Sequence, residues 1–177
     1  MCSVKCIIPA DCPLMWSHYG DQHRGLCLGY SVPQEVADDL HKISYGGSRL
    51  IEASAVAEML DGDAGACRRV DERVLLTKAG DWGYEKEWRL FGQRGSQSSP
   101  LELKEVVFGM RCFEPVKYAV MKALESRAHS VKLYEIRQGH DSFQLHKCEL
   151  DDGELAATYP RCIRFIYESF KNIRYPT

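Results

Sequence analysis

Residues 103–136, LKEVVFGMRCFEPVKYAVMKALESRAHSVKLYEI, decide the fold, because a helix pattern stands there between two strand patterns. The apolar run Leu103–Phe108 is typical of a strand. Pro115 suits the first turn of a helix, and the helix predicted over Pro115–Ala128 carries apolar residues at i, i+3 and i+4 spacing. Alternation at Val131–Ile136 indicates another strand. The stretch therefore predicts a sheet with a helix against it.

Helix and strand patterns fill the rest of the chain. Strands are predicted at Gly25–Tyr30, Ile43–Ile51, Arg73–Lys78, Tyr84–Gly92 and Ser142–Leu150, and helices at Pro13–Gln22, Pro33–Leu40, Glu52–Leu60 and Thr158–Arg174. Residues 1–12 are expected to be irregular. Because the sequence has no repeat and no linker, residues 1–177 are predicted to form a single α+β domain, with a mixed, mostly antiparallel sheet flanked by helices.

The charge balance excludes several classes of protein. Lys and Arg number 23 against 25 Asp and Glu, so the chain lacks the basic excess that nucleic-acid and membrane-surface binders normally show. No apolar run approaches the roughly 20 residues that a membrane-spanning helix needs. The first residues, MCSVKCIIPADCP, lack an apolar core of signal-peptide length. We expect a cytoplasmic protein with no nucleic-acid partner and no membrane partner.

The eight cysteines favour free or structural thiols. Disulfides would need a secreted chain, and nothing in the sequence signals export. A zinc site would depend on Cys2, Cys6 and Cys12, whose spacing does not match the paired knuckles of known zinc sites. We therefore expect no metal site.

The segment KAGDWGYEKEWRL, Lys78–Leu90, concentrates aromatic, charged and glycine residues. In a strand, Glu85, Glu87 and Arg89 would share one face, with about 6.6 Å between alternate residues. One carboxylate could then hold a substrate hydroxyl while the other stabilises positive charge or takes a proton. Arg89 could clamp a phosphate or carboxylate with two hydrogen bonds. The alternative is a solvated strand face with cross-strand ion pairs, which is the commoner use of this pattern.

A second segment, MWSHYGDQHRG (Met15–Gly25), also concentrates aromatic, titratable and glycine residues. A helix there would place Trp16 beside Tyr19, and His18 on a different face. His18 and His23 are candidates for acid–base catalysis or ligand contact. The alternative is a helix with aromatic residues in the core and exposed or hydrogen-bonded histidines.

These two segments carry a family resemblance. LMWSHYG at Leu14–Gly20 and HRGLCLGY at His23–Tyr30 resemble the "MWsHYadnHkGvclgF" signature of the bacterial domain of unknown function 2971 family. Lys78, Trp82 and the run YEKEWRL resemble its "K…W.yEkEwRl" signature, and EVVFG at Glu105–Gly109 resembles the strand and glycine that follow. The resemblance covers roughly Leu14 to Leu150, and two long motifs rarely coincide by chance.

The resemblance implies a protein of bacterial and phage-associated defence neighbourhoods, in a family without a generally assigned activity. The motifs of its longer members look like the three-part motif of ADP-ribosyltransferases, an analogy at the level of the fold. On that analogy Glu87 is the catalytic glutamate, Glu85 orients the acceptor, Trp16 or Tyr19 stacks on a ring, and NAD is the cofactor that the site would take. The site as a whole is predicted to comprise Glu87, Glu85 and His18 as catalytic residues, and Trp16, Tyr19, His23, Lys78, Trp82 and Arg89 as ligand-binding residues.

The chain begins late compared with longer members of that family. Met1 lies 15 residues before Trp16, so the N-terminal half that is expected to hold NAD is not part of this sequence. Two explanations stay open: a short member that binds rather than catalyses, or a natural start further upstream.

Three interpretations follow from these patterns. The first is a transferase or hydrolase that acts on a nucleotide-type ligand through Glu87. The second is a non-catalytic interaction or regulatory module, defence-related and homodimeric, because the chain starts late and Thr158–Arg174 is amphipathic. In the third, Arg89 and the glutamates form a buried ion-pair network with His18 or Lys78. The first requires both segments to face one cavity.

Overall fold

The computed structural model describes residues 10–91, 98–151 and 153. The helices are α1 (Pro13–Tyr19), α2 (Gln34–Ala37), α3 (Ala53–Leu60), α4 (Ala64–Leu75) and α5 (Glu114–Leu124), with a 3-10 helix at Gly80–Glu85. The strands are β1 (Leu26–Ser31), β2 (Leu40–Lys42), β3 (Ser44–Tyr45), β4 (Thr77–Lys78), β5 (Trp88–Leu90), β6 (Glu102–Phe108), β7 (Lys132–Gln138) and β8 (Leu145–Glu149).

The chain divides into two compact units. The first, here called the helical unit, contains Tyr30–Glu102. The second, here called the sheet unit, contains Ala10–Gly29 and the chain from Leu103 onward. The predicted single domain stays a prediction, whereas the predicted α+β class is confirmed by helices and mixed sheets.

The sheet unit is built on a four-stranded sheet with the strand order β1-β6-β7-β8. Strands β6 and β7 are parallel, and β7 and β8 are antiparallel. The parallel pair needs a crossover, and α5 supplies it between them. One core cluster gathers Val106, Phe108, Cys112, Met121 and Leu133, and another gathers Trp16, Val107, Ile136 and Leu145. Since Val106 and Val107 belong to different clusters, apolar side chains cover both faces of β6.

The helical unit contains two small sheets and a pair of packed helices. Strands β2 and β5 are antiparallel, and β3 and β4 are parallel. Helix α4 begins after Asp63, whose side chain accepts a hydrogen bond of 2.6 Å from the Ala66 amide and so caps the helix. Leu90 and Leu101 form the core with Tyr30, Val32, Val36 and Leu40 around them. The short β3–β4 pair fixes where Lys78 lies, because Lys78 is the register partner of Tyr45.

The strand predicted at Arg73–Lys78 is wrong for most of its length. Helix α4 continues through Leu75, and only Thr77–Lys78 is a strand. The Asp63 cap starts the helix, and Ala66 and Val70 bury one of its faces. Together these outweigh the strand propensity of the short run RVLLTK.

The strand predicted at Tyr84–Gly92 is also wrong in its first half. A 3-10 helix extends to Glu85, and Lys86 then adopts a left-handed conformation with φ 45°. The regular strand is Trp88–Leu90. Gly80 and Gly83 lower the strand propensity of this segment, which favours a turn.

Several other elements differ in extent from their predictions, and some predictions fall outside the described residues. The predicted strand Ile43–Ile51 is reduced to Ser44–Tyr45, because Gly46 and Gly47, both with φ 84°, end it in a turn. The helix predicted at Pro13–Gln22 ends at Tyr19. The predicted helix Thr158–Arg174 and residues 1–9 lie outside the described residues. In the described part of the chain, no helix has the length and apolar character that crossing a membrane requires.

Candidate functional site

Four charged residues of the KAGDWGYEKEWRL segment converge in the helical unit. Lys78 ends β4, Glu85 ends the 3-10 helix, and Glu87 precedes β5, which contains Arg89. The left-handed Lys86 separates the two glutamates and lets the chain turn from the 3-10 helix into the strand. The sequence therefore brings both carboxylates to one place, but by a turn and not by strand alternation.

The glutamates are buried and bind two cations. Glu85 is 0% exposed and Glu87 is 1% exposed. Lys78 Nζ lies 2.6 Å from Glu85 Oε2 and 3.3 Å from Glu87 Oε2. Arg89 Nε donates to Glu87 Oε1 at 2.9 Å. Two negative and two positive charges therefore face each other, which is the condition for keeping ionised groups out of water.

Backbone contacts hold this charge cluster in place. The Glu87 amide donates to the Tyr45 hydroxyl at 2.7 Å, and the Ile43 amide donates to the Glu87 carbonyl at 3.0 Å. The Arg89 guanidinium also donates to the Leu75 carbonyl. Strands and α4 thus fix Glu87 and Arg89 in one geometry, and ordered partners are what makes a buried ion pair tolerable.

A cavity of about 590 Å³ lies beside the charge cluster. Three cations line it, Arg49, Arg73 and Lys78. The other lining residues are mostly apolar or glycine, with one hydroxyl: Ile51, Val74, Ala79 and Trp82, then Gly46, Gly47 and Gly80, and Thr77. Its described lining residues include no carboxylate, so the cavity is electropositive and amphipathic. We call it the arginine cavity.

Lys78 belongs both to the charge cluster and to the arginine cavity. Its Nζ lies 4.8 Å from the centroid of the Trp82 ring, and the Trp82 and Tyr84 rings are 6.0 Å apart. The two glutamates hold the Lys78 ammonium, which also makes a cation–π contact with the Trp82 ring. Of the predicted ligand-binding residues, Lys78 and Trp82 line the arginine cavity.

Sequence reasoning missed Arg49 and Arg73. The signal for Arg49 was the Gly46-Gly47 pair, which marks a turn that carries the next residues to the cavity. Arg73 was assigned to a strand, but it lies in α4 and its Nη1 donates to the Ser48 carbonyl at 2.9 Å. This contact ties the glycine turn to α4.

The predicted residues of the MWSHYGDQHRG segment lie in the sheet unit. Trp16 is 4% exposed and packs in the core, and its Nε1 donates to the Ala10 carbonyl at 2.8 Å. His18 and Tyr19 are exposed, with ring centroids 6.4 Å apart. Since Trp16 is a core residue, Tyr19 is the more accessible of the two rings predicted to stack on a ligand.

His23 is held in an unusual backbone conformation. Asp21, Gln22 and His23 have φ values of 47°, 53° and 69°, three successive left-handed residues. Residues other than glycine rarely adopt this conformation, so the surrounding contacts must stabilise it. The His23 ring stacks on Trp16 with centroids 5.6 Å apart, and the Arg111 amide donates to the His23 carbonyl at 2.9 Å.

The His23 imidazole is neutral at physiological pH. Burial lowers its pKa from the ordinary 6.5, and the nearby Arg111 guanidinium lowers it further. Its buried Nδ1 has no hydrogen-bond partner among the described residues. A neutral ring tolerates this environment better than a charged one would.

Two cysteines, Cys27 and Cys112, are thiols packed among apolar side chains of the sheet unit. Burial raises the pKa of both thiols, so both stay protonated near neutral pH. Within residues 10–91, 98–151 and 153, no three His, Cys, Asp or Glu side chains converge as metal ligands would.

The predicted site is thus distributed over both units. Glu85, Glu87, Lys78, Trp82 and Arg89 come together in the helical unit. Trp16, His18, Tyr19 and His23 belong to the sheet unit. The prediction that the two segments share one cavity stays a prediction.

Comparison with known proteins gives one match. The family described as "Protein of unknown function (DUF2971)" matches residues 15–90, which include both signature segments. This confirms the resemblance to that family over residues 15–90, which is less than half of the chain. The resemblance of the following residues up to Leu150 and the similarity to ADP-ribosyltransferases stay predictions. No curated protein and no solved structure matches the chain significantly.

Proposed function

We propose that this DUF2971 protein binds a nucleotide-type ligand in the arginine cavity. The observation that carries the proposal is the composition of its wall: three cations together with the apolar side chains of Ile51, Val74, Ala79 and Trp82, around a volume of about 590 Å³. That volume lies within the range of about 300–1,000 Å³ usual for small-molecule sites. A ligand that joins a phosphate to a flat apolar ring would complement both halves of the wall.

The cations favour an anionic ligand. The charge of Lys78 is balanced by Glu85 and Glu87, whereas Arg49 and Arg73 have no carboxylate beside them in the cavity wall, and a phosphate would supply the missing negative charge. Arg73 presents a planar guanidinium that can form two parallel hydrogen bonds to phosphate. Among the described residues, neither Arg49 nor Arg73 has an ion-pair partner, so neither would have to give one up.

The apolar part of the wall favours a ring. Trp82, Ile51 and Val74 would shield one side of a base from water, and an aromatic contact with a base contributes about 1–3 kcal/mol. Lys78 lies between this wall and the charge cluster, where it can reach a phosphate next to the base.

In this proposal, Glu85 and Glu87 position Lys78 and do not react with the ligand. Both oxygens of Glu87 already accept from cations, and the side chain is 1% exposed. Transfer chemistry at Glu87 would require a ribose to displace Lys78 or Arg89 from it. Ligand binding without a reaction, the role of a binding or regulatory module, therefore agrees better with this geometry than ADP-ribosyl transfer does.

Calorimetric titration with adenosine 5′-monophosphate (AMP) tests the proposal. We expect saturable binding to the wild-type chain with a dissociation constant below about 1 mM, which corresponds to about −4 kcal/mol. Adenosine, which has the ring but no phosphate, should bind at least about tenfold more weakly because it makes no charged hydrogen bonds. If folded wild-type protein releases no heat with millimolar AMP, the proposal is wrong.

Arginine variants locate the binding site. Arg73→Ala should weaken AMP binding about tenfold or more, because it removes a charged hydrogen-bond donor from the cavity wall. Arg68→Ala is the matched control, since Arg68 is an exposed arginine on the same helix that does not line the arginine cavity. Equal affinities for the two variants would place the ligand elsewhere.

A further inference from the structure

A second cavity, of about 520 Å³, shares part of its wall with the arginine cavity. Gly46, Arg73 and Thr77 line both. All lining residues of both cavities belong to the helical unit. We call the second one the lysine cavity, because Lys42 lines it and does not line the first.

The lysine cavity is polar. Lys42, Arg69 and the shared Arg73 provide cations, and Ser44 provides a hydroxyl. Glu72 is the single acidic residue among its described lining residues. Arg69 is partly neutralised by Glu58, 2.6 Å away, so Lys42 and Arg73 remain as the cations without a described ion pair.

The size of the lysine cavity exceeds what one phosphate would fill. Its volume is close to that of the arginine cavity, and each lies in the range that accepts a drug-sized group. A mononucleotide in the arginine cavity would leave the lysine cavity to water. A ligand with two bulky ends would occupy both.

The shared wall specifies what should join those two ends. Arg73, whose guanidinium is a planar set of hydrogen-bond donors, lines both cavities, and Gly46 lines both with open space where a Cβ would lie. An arginine fork beside glycine backbone is suited to phosphate oxygens. The linker should therefore be anionic and narrow, which a diphosphate satisfies.

We infer that the natural ligand is a dinucleotide with two nucleosides joined by a diphosphate, one nucleoside in each cavity and the diphosphate against Arg73. The inference rests on the proposed function, because it places the first nucleotide in the arginine cavity. The ring next to Trp82 makes apolar contacts, while the second nucleoside presents its hydroxyls to Ser44 and Lys42.

Calorimetry with a matched ligand series tests the inference. The probes are AMP, adenosine diphosphate (ADP) and the symmetrical di(adenosine-5′) diphosphate. The dinucleotide should bind wild-type protein at least about tenfold more tightly than ADP, because its second half binds without a further cost of association. Lys42→Ala should remove most of that gain and leave AMP affinity unchanged. Lys132→Ala, an exposed lysine in the sheet unit, is the control and should change neither.

The outcomes separate the two proposals. If AMP does not bind to wild-type protein, the proposed function fails. If AMP binds but the dinucleotide is no tighter than ADP, the inference about the lysine cavity fails while the proposed function stands. Equal weakening of AMP and the dinucleotide by Lys42→Ala also overturns the inference, because both ligands would then use the same part of the wall.

Discussion

Glu87 accepts from a different cation on each of its two oxygens, Lys78 on Oε2 and Arg89 on Oε1, while it is almost completely shielded from water. Removing a carboxylate from water costs several kcal/mol, which these two partners and the backbone contacts must offset. Loss of one member would leave buried charge without compensation. The sequence predicted that Glu85, Glu87 and Arg89 share one face of a strand, whereas a turn at Lys86 brings the two glutamates together. The third interpretation, an ion-pair network of Arg89 and the glutamates with His18 or Lys78, agrees with the structure for Lys78.

Glu87→Gln should therefore destabilise the protein by about 3 kcal/mol, because it leaves Arg89 and Lys78 with one carboxylate fewer in a buried place. Urea denaturation measures the loss. Glu58→Gln is the control, since Glu58 pairs with Arg69 at the surface and such a pair contributes about 1 kcal/mol or less. Unchanged stability of Glu87→Gln together with lost ligand binding would instead favour a role for Glu87 at the ligand.

His23 predicts a pH dependence of stability. Its pKa is lower in the folded state than the ordinary 6.5, because of burial and Arg111, so the unfolded state takes up a proton at higher pH. The stability that this group contributes is complete above about pH 6.5 and decreases as the pH falls below it, by at most about 1.4 kcal/mol per pH unit.

The free energy of unfolding should therefore decrease more steeply between pH 6.5 and 5 in wild-type protein than in His23→Asn. Asparagine tolerates the left-handed conformation at this position better than most residues, so the variant should fold. Urea titrations at several pH values measure both slopes. Identical slopes would show that His23 does not titrate as described.

At the scale of elements, local pattern predicted the longer helices and strands of the sheet unit well. Helix α5 and strands β6, β7 and β8 were all predicted, because each has its own periodicity and packs on a continuous core. The helices and strands of the helical unit were harder to predict. Arg73 was placed in a strand because RVLLTK alone resembles one, and only the Asp63 cap and the buried face of α4 reverse that preference.

The connection after β6 depends on a glycine. A Cβ on Gly109 would lie 2.2 Å from the His23 carbonyl oxygen, and the Gly109 amide is fixed by a 3.0 Å hydrogen bond to the Gly25 carbonyl. Neither Gly109 nor the His23 carbonyl can move away without disrupting the left-handed turn at Asp21–His23. Gly25 and Gly109 both belong to the segments that resemble the family signature. The close packing at Gly109 is a physical reason for a glycine at that position.

Gly109→Ala should lower the free energy of unfolding by about 3 kcal/mol, at the upper end of what overpacking normally costs. Thermal or urea denaturation checks it. Gly80→Ala is the control, because nothing lies within 4 Å of a Cβ there, and its effect should stay within about 0.5 kcal/mol. If Gly109→Ala leaves the free energy of unfolding unchanged, the packing between Gly109 and the turn at His23 is looser than described.

At the scale of the whole molecule, the α+β class and the resemblance to the DUF2971 family were predictable from the sequence, whereas only part of the proposed ligand site was. The motif residues Lys78 and Trp82 were identified because aromatic and charged residues cluster in one segment. Arg49 and Arg73 are separated from that segment in sequence, and tertiary packing alone brings them to the same cavity. The Gly46-Gly47 pair indicates a turn before Arg49, but the sequence of Arg73 and its neighbours resembles a strand and gives no signal that Arg73 lines the cavity.

The predicted roles of the two motifs also separate at this scale. In the helical unit, Glu85 and Glu87 of the YEKEWRL segment bind Lys78, which lines the arginine cavity. In the sheet unit the WSHYG segment packs Trp16 against His23 in a structural turn. The ligand is thus expected to perturb the helical unit directly.

The most direct test is a nuclear magnetic resonance titration of ¹⁵N-labelled protein with AMP, followed at the indole N–H signals. The Trp82 signal, assigned with Trp82→Phe, should shift progressively to saturation, and Arg73→Ala should greatly reduce the shift. The Trp16 indole, which donates to the Ala10 carbonyl in the sheet unit, serves as the internal reference and should stay in place. A Trp82 signal that does not move in millimolar AMP, or a Trp16 signal that moves as far, would contradict a nucleotide site in the arginine cavity.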